Sequence, residues 1–171
     1  MNNSWVKYSL YFIFIILLQG LVFNQIQLNG MVYPMVYIIA IVMLPFETSL
    51  VLTISISLFL GISVDMFSDT FGLHTSSSLV IGYFRPKLLS VLRPRDGYDS
   101  ILLPSIHDMG KSWFLMFSTL LIAIHHLWFF SVELLRFDLI GMIIIKTLFS
   151  TLTTLFIIVL LQYLLYKPTK K

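Results

Sequence analysis

Residues 73–92 read LHTSSSLVIGYFRPKLLSVL, and their reading decides how often the chain crosses a bilayer. The 12 residues from Leu73 to Phe84 carry no Asp, Glu, Lys or Arg. At helical rise they reach about 18 Å, short of a hydrocarbon core roughly 30 Å thick. They span only if the helix runs on through Arg85, Pro86 and Lys87 to Leu92, with those cations snorkelling toward headgroups.

A bilayer is the right frame because of the composition around that stretch. The chain is 58% hydrophobic and 11% charged, with 15 Phe and a mean hydropathy of +0.93, and its apolar residues fall in unbroken blocks. This describes an all-α integral membrane protein. Its 171 residues suffice for one polytopic domain, and no internal repeat stands out. The absence of Cys removes disulfides and thiolate metal sites. A net charge of +3 invites a nucleic-acid reading, but the basic residues are scattered at the ends of apolar blocks, where membrane topology explains them.

Working outward, the spans are expected at about 6–24, 31–46, 49–67, 73–92, 112–132 and 138–166. Trp5 and Lys7 suit the headgroup level ahead of the first. Asn24-Gln25-Ile26-Gln27 follows it in place of a small-residue cleavage site, so this block is expected to stay in the mature chain. Charge placement settles the fourth span. With six crossings, Lys7, Arg85, Lys87, Arg93, Arg95, Lys111, Lys167, Lys170 and Lys171 all share one side, while Arg136 faces the other and Lys146 lies within the sixth span. Five crossings would turn the terminal lysines outward, against the positive-inside rule. The expectation is a six-transmembrane-helix bundle with both termini cytoplasmic and outer loops near 24–30, 66–72 and 133–138.

The most informative motif straddles the outer end of the third helix and the start of the fourth. Gly61 and Asp65 are four apart on one helix face, so a close helix contact and a carboxylate point the same way. Gly72 supplies a positive φ for a tight turn, and Asp69 or the run from Thr75 to Ser78 caps the returning helix.

This stretch, GISVDMFSDTFGLH over residues 61–74, resembles the signature region of the rod shape-determining protein MreD family: a glycine, an aspartate four later, a short loop, then Gly72-Leu73-His74 opening the next helix. Length, order and charge pattern extend the resemblance to the whole chain. It implies a multi-pass protein of the bacterial inner membrane with a six-helix architecture similar to the substrate-binding subunits of energy-coupling-factor vitamin transporters. It also implies work in peptidoglycan elongation beside the bitopic protein MreC, the actin-like MreB filament, a polymerising glycosyltransferase and a transpeptidase, with no catalytic chemistry, metal or cofactor of its own. On that reading Gly61, Asp65, Asp69, Gly72 and His74 form a partner-binding or structural motif, and MreC is bound through transmembrane helices.

Two other classes fit the residues less well. A vitamin-transporter subunit generally carries small residues spaced by three on its first helix, and YFIFIILLQGLVF has only Gly20. An intramembrane enzyme or haem protein would draw on His74, His125, His126 and Glu133, but adjacent histidines point about 100° apart on a helix, and no HExxH or comparable spacing occurs.

Helical depth singles out Asp65, His126 and Lys146 as an intramembrane polar cluster in the outer half. Lys146 is expected to face the bundle interior and find a carboxylate, imidazole or carbonyl, or else to snorkel outward. Asp65 is expected either to pair with Lys146 or to receive a donor from a partner, its shallower position favouring the partner. On the cytoplasmic side, Arg93, Arg95, Asp96 and Tyr98 with Pro94 and Gly97 describe a structured turn suited to meeting a partner, and Ile101 to Ile106 an interfacial segment.

Overall fold

The computed structural model of the protein describes residues 4–26 and 30–166. Helices α1 (Ser4–Leu21), α2 (Ile39–Val42), α3 (Leu50–Ser68), α4 (Leu73–Val91), α5 (Lys111–Leu134) and α6 (Ile140–Leu165) follow in order, joined by irregular connections with short 3-10 turns. Of these, α3, α5 and α6 are each long and apolar enough to cross a membrane. The chain is an all-α membrane protein. Lys167, Lys170 and Lys171, and Gln27 to Asn29 of the first expected outer loop, lie outside the described residues.

Five of the six expected helices stand within a few residues of their predicted ends; the one over 31–46 does not form. That block is irregular up to Met35, makes a 3-10 turn at Val36–Ile38, and is α-helical only over α2. Yet it is the heart of the molecule, for no residue from Met35 to Val42 is more than 2% exposed. A broken backbone at such depth is tolerated only where protein encloses it and supplies the missing hydrogen bonds.

The neighbouring helices supply them. The Oε1 of Gln19 on α1 accepts from the N–H groups of Val36 and Tyr37 at 2.7 and 3.2 Å, while its Nε2 donates to Pro34 O at 3.1 Å. On α6, Ser150 Oγ accepts from Tyr33 N and Thr154 Oγ1 from Met35 N, each at 3.0 Å. At the other end of the segment, Arg85 of α4 donates from Nη2 to the carbonyls of Leu44 and Pro45, which a continuing helix would have satisfied. Arg85 therefore does not snorkel as expected: it is fully buried, whereas Lys87, two residues on, lies over the Tyr83 ring at 4.1 Å.

Gln19→Leu keeps the bulk of the side chain and removes three of these hydrogen bonds at once. Each stranded buried group costs about 1–3 kcal/mol. The variant is expected to unfold well below the wild type when melted in mild detergent. Thr153→Val, which removes only a surface hydroxyl bonded within α6, should leave the transition in place. Equal midpoints for the two would refute this account of the central segment.

Candidate functional site

Asp65 sits on the last turn of α3, and its position follows from Gly61 one turn earlier. A Cβ built on Gly61 would lie 2.4 Å from Thr75 Cα and 2.9 Å from Thr75 N, so only a residue without a side chain lets the first turn of α4 press against α3 here. That approach brings the Asp65 carboxylate to the end of α4. Its Oδ1 accepts from His74 N at 3.0 Å and Thr70 Oγ1 at 2.5 Å, and its Oδ2 from Thr75 N at 2.9 Å and Thr75 Oγ1 at 2.5 Å.

This is an N-cap delivered from the preceding helix. His74 and Thr75 hold the second and third helical positions, whose N–H groups an N-cap side chain ordinarily satisfies, and the negative charge opposes the positive end of α4. Gly72, with φ of 83°, occupies the N-cap position and has no side chain to do this. The expected caps, Asp69 and the Thr75 to Ser78 hydroxyls, are not used so. Asp69 instead ends α3 in the left-handed region, with φ of 50°, and Ser76 and Ser77 return their hydroxyls to Leu73 O.

The expected cluster of Asp65, His126 and Lys146 is divided. Lys146 Nζ bonds Glu133 Oε2 at 3.1 Å and lies 5.1 and 5.3 Å from the ring centres of Tyr33 and Phe130. The Asp65–Lys146 pair does not form, because the four donors above already surround the Asp65 carboxylate. Side chains on a helix lean toward its N-terminus, which carries the ammonium of Lys146 up α6 toward the end of α5, where Glu133 stands. His126 is fully buried, its ring centre 5.9 Å from that of Phe130. Its Nδ1 lies 2.9 Å from Ile122 O, and its Nε2 lies 3.3 Å from Tyr33 O and 3.5 Å from Thr154 Oγ1. His126 thus supports the Thr154 oxygen that holds Met35 N.

His125 points elsewhere, as two adjacent helical positions must. The Tyr37 hydroxyl donates to His125 Nε2 at 2.6 Å and accepts from Ser78 at 3.2 Å. The ring of His74 packs edge-on to Tyr37 and against Phe129, at centroid separations of 5.7 and 4.8 Å. His74 is 5% exposed, and its Nδ1 has no hydrogen-bond partner among the described residues. Among those residues no three His, Asp or Glu side chains gather as a metal would require.

A cavity of about 310 Å³ opens at this end of the bundle. Phe23, Tyr33, Phe67 and Phe129 line it together with His74, Asp69 and Glu133. Sequence reasoning missed it, because its walls come from the first connection, the central segment, the α3–α4 turn and α5. The one available cue was the set of polar residues, Gln19 and Asn24 among them, beside aromatic ones at the same helical depth.

At the opposite end, the 92–110 connection forms a folded turn. Tyr98 stacks on Phe46 with centroids 4.2 Å apart, and its hydroxyl donates to Leu89 O at 2.8 Å. Burial pushes the Tyr98 phenol above its ordinary pKa. Arg93, Arg95 and Asp96 are exposed, and Arg93 passes beside Gly97. Within the 101–106 stretch, expected to lie in the interface, Ser105 and Ile106 are buried, with Ile106 N donating to Gln162 of α6 at 3.3 Å. Compared with known proteins, the chain matches no family model, no curated protein and no solved structure.

Proposed function

We propose that the chain is a non-enzymatic scaffold subunit of the bacterial cell-elongation machinery for peptidoglycan. Its role is to hold the single transmembrane helix of MreC against its own helices in the inner membrane. On this reading the chain crosses six times with both termini cytoplasmic, and the broken segment makes the second crossing inside the bundle. Tyr33 beside Lys146 and Pro45 beside Arg85, at opposite ends of the molecule, agree with that path. Arg85, Lys87, Arg93, Arg95 and Lys111 gather at the Pro45 end, as a cytoplasmic face should.

The observation that carries the reading is the free face of α3. The α3–α4 hairpin is locked internally by Gly61 and Asp65, so it is a stiff element. Its outward side presents Val51, Phe59, Ile62 and Met66 at helical spacing, leading to the wholly exposed Phe71 at the turn. Ser55 and Ser63 interrupt this stripe and return their hydroxyls to Val51 O and Phe59 O. The face is therefore apolar with small notches and asks no hydrogen bond of its occupant, which suits packing of a helix in lipid. The one glycine of α1 offers a transporter module little, since Gly20 is already covered by Phe67.

The test is recovery of MreC with the full chain in mild detergent. Ser55→Trp and Ser63→Trp, which fill the notches from outside, should abolish recovery while the protein stays monodisperse. Leu148→Trp on the exposed side of α6 should not. Undiminished recovery from both α3 variants, or recovery of an ATPase module in place of MreC, would overturn the proposal.

A further inference from the structure

The apolar stripe on α3 does not stop where the helix does. Ile62 and Met66 of that stripe also wall a shallow groove of about 510 Å³, which Phe71 and Gly72 of the turn complete. Thr70, Thr75 and Asp65 lie in the same groove, but both hydroxyls are already given to the Asp65 carboxylate, each at 2.5 Å. An occupant therefore meets apolar surface, the wholly exposed ring of Phe71, and Asp69.

Asp69 stands apart from the other charged groups at this end. Asp65 receives four donors, Glu133 holds Lys146 at 3.1 Å, and Arg136 holds Asp138 at 2.6 Å. Asp69 is exposed and makes no hydrogen bond or ion pair through its side chain with any described residue. It ends α3 with φ of 50°, a conformation that Gly or Asn adopts without a charge, so the turn geometry does not account for the acid. Because α3 is a 19-residue helix able to cross the membrane, about 28 Å at helical rise, its last turn lies near the headgroups. A helix seated along Val51, Phe59, Ile62 and Met66 reaches that level beside Asp69 and Phe71. A carboxylate next to an exposed ring suits a Lys or Arg, which gives its N–H groups to one and rests over the other. The positive-inside rule makes cations scarce at the outer ends of spans, so this feature separates one helix from most others.

We propose that this groove receives the outer end of the partner's transmembrane helix and selects a partner that carries a Lys or Arg there, with Asp69 as the counter-ion and the Phe71 ring beside the cation. The inference rests on the scaffold reading and gives its partner a chemistry: apolar along α3, cationic at the α3–α4 turn.

The test titrates MreC against the immobilised full-length chain in mild detergent. Asp69→Asn removes the charge and keeps the left-handed turn, which Asn tolerates, and should weaken MreC binding about tenfold without moving the melting temperature. Phe71→Ala, which removes a ring that is 104% exposed, should weaken it about threefold. Asp138→Asn, which neutralises an acid on the α5–α6 turn, should leave binding unchanged. Changing to Gln the Lys and Arg residues of MreC within about ten residues of the outer end of its helix should cost the wild type the same tenfold and cost Asp69→Asn nothing further. The MreC-side change is read on the wild-type chain and needs no variant of it to fold. A wild-type chain that binds no MreC overturns the scaffold reading and this inference together. Binding that withstands Asp69→Asn, or two losses that simply add, overturns this inference alone and leaves the groove to a lipid headgroup or a second copy of this chain.

Discussion

Gly61→Ala is expected to cost more stability than any other single methyl group added to the surface of α3. The new Cβ would meet Thr75 Cα at 2.4 Å and His74 O at 3.0 Å, and these are backbone atoms, not the ends of side chains that can turn away. The helices must separate, and separation carries the Asp65 carboxylate away from the N–H groups of His74 and Thr75. Overpacking alone costs about 1–3 kcal/mol, and loss of the cap adds about 1 kcal/mol. Thermal denaturation in detergent, with Ile62→Ala on the exposed side of the helix as reference, measures the difference. A midpoint for Gly61→Ala equal to that of Ile62→Ala would show that α3 and α4 do not meet here. Val64, only three residues along, is no substitute as a reference, because it is fully buried.

Asp65→Ala is expected to cost on the order of 3 kcal/mol, since four donors lose their acceptor and two are N–H groups of a helix end. The informative comparison is its behaviour with Lys146→Met. Were the two residues an ion pair, removing the ammonium would recover part of the loss, because breaking one partner costs more than removing both. The observed contacts predict independence: the double variant should melt at the sum of the two single effects. Glu133→Gln should instead be partly rescued by Lys146→Met, since Glu133 is the carboxylate that Lys146 touches at 3.1 Å. Glu133 keeps 27% of its side chain exposed, so that coupling is expected to be smaller than for a fully buried pair. Rescue of Asp65→Ala, with none for Glu133→Gln, would reverse the assignment.

The sequence by itself determined the solvent and the helices. Long apolar blocks have few ways to satisfy their backbone in lipid, so composition leads to an all-α membrane protein, and turn residues such as Gly72 and Gly110 fall where helices begin. The pairing of Gly61 with Asp65 on one face was also legible, because helical spacing alone sets it.

The block at 31–46 was not, for hydropathy reports burial without reporting backbone conformation. A segment sheathed by protein reads like a segment sheathed by lipid. Pro34 and Pro45 bracket the region, and Gln19, Ser150, Thr154 and Arg85 mark the helices that serve it, but which side chain reaches which N–H or carbonyl depends on how four separate elements pack. The partner of Lys146 was decided in the same way. Depth along each helix made Asp65 and Glu133 both eligible, and the choice fell to the close approach at Gly61, which commits Asp65 to the end of α4 and leaves Lys146 to Glu133 across the α5–α6 turn.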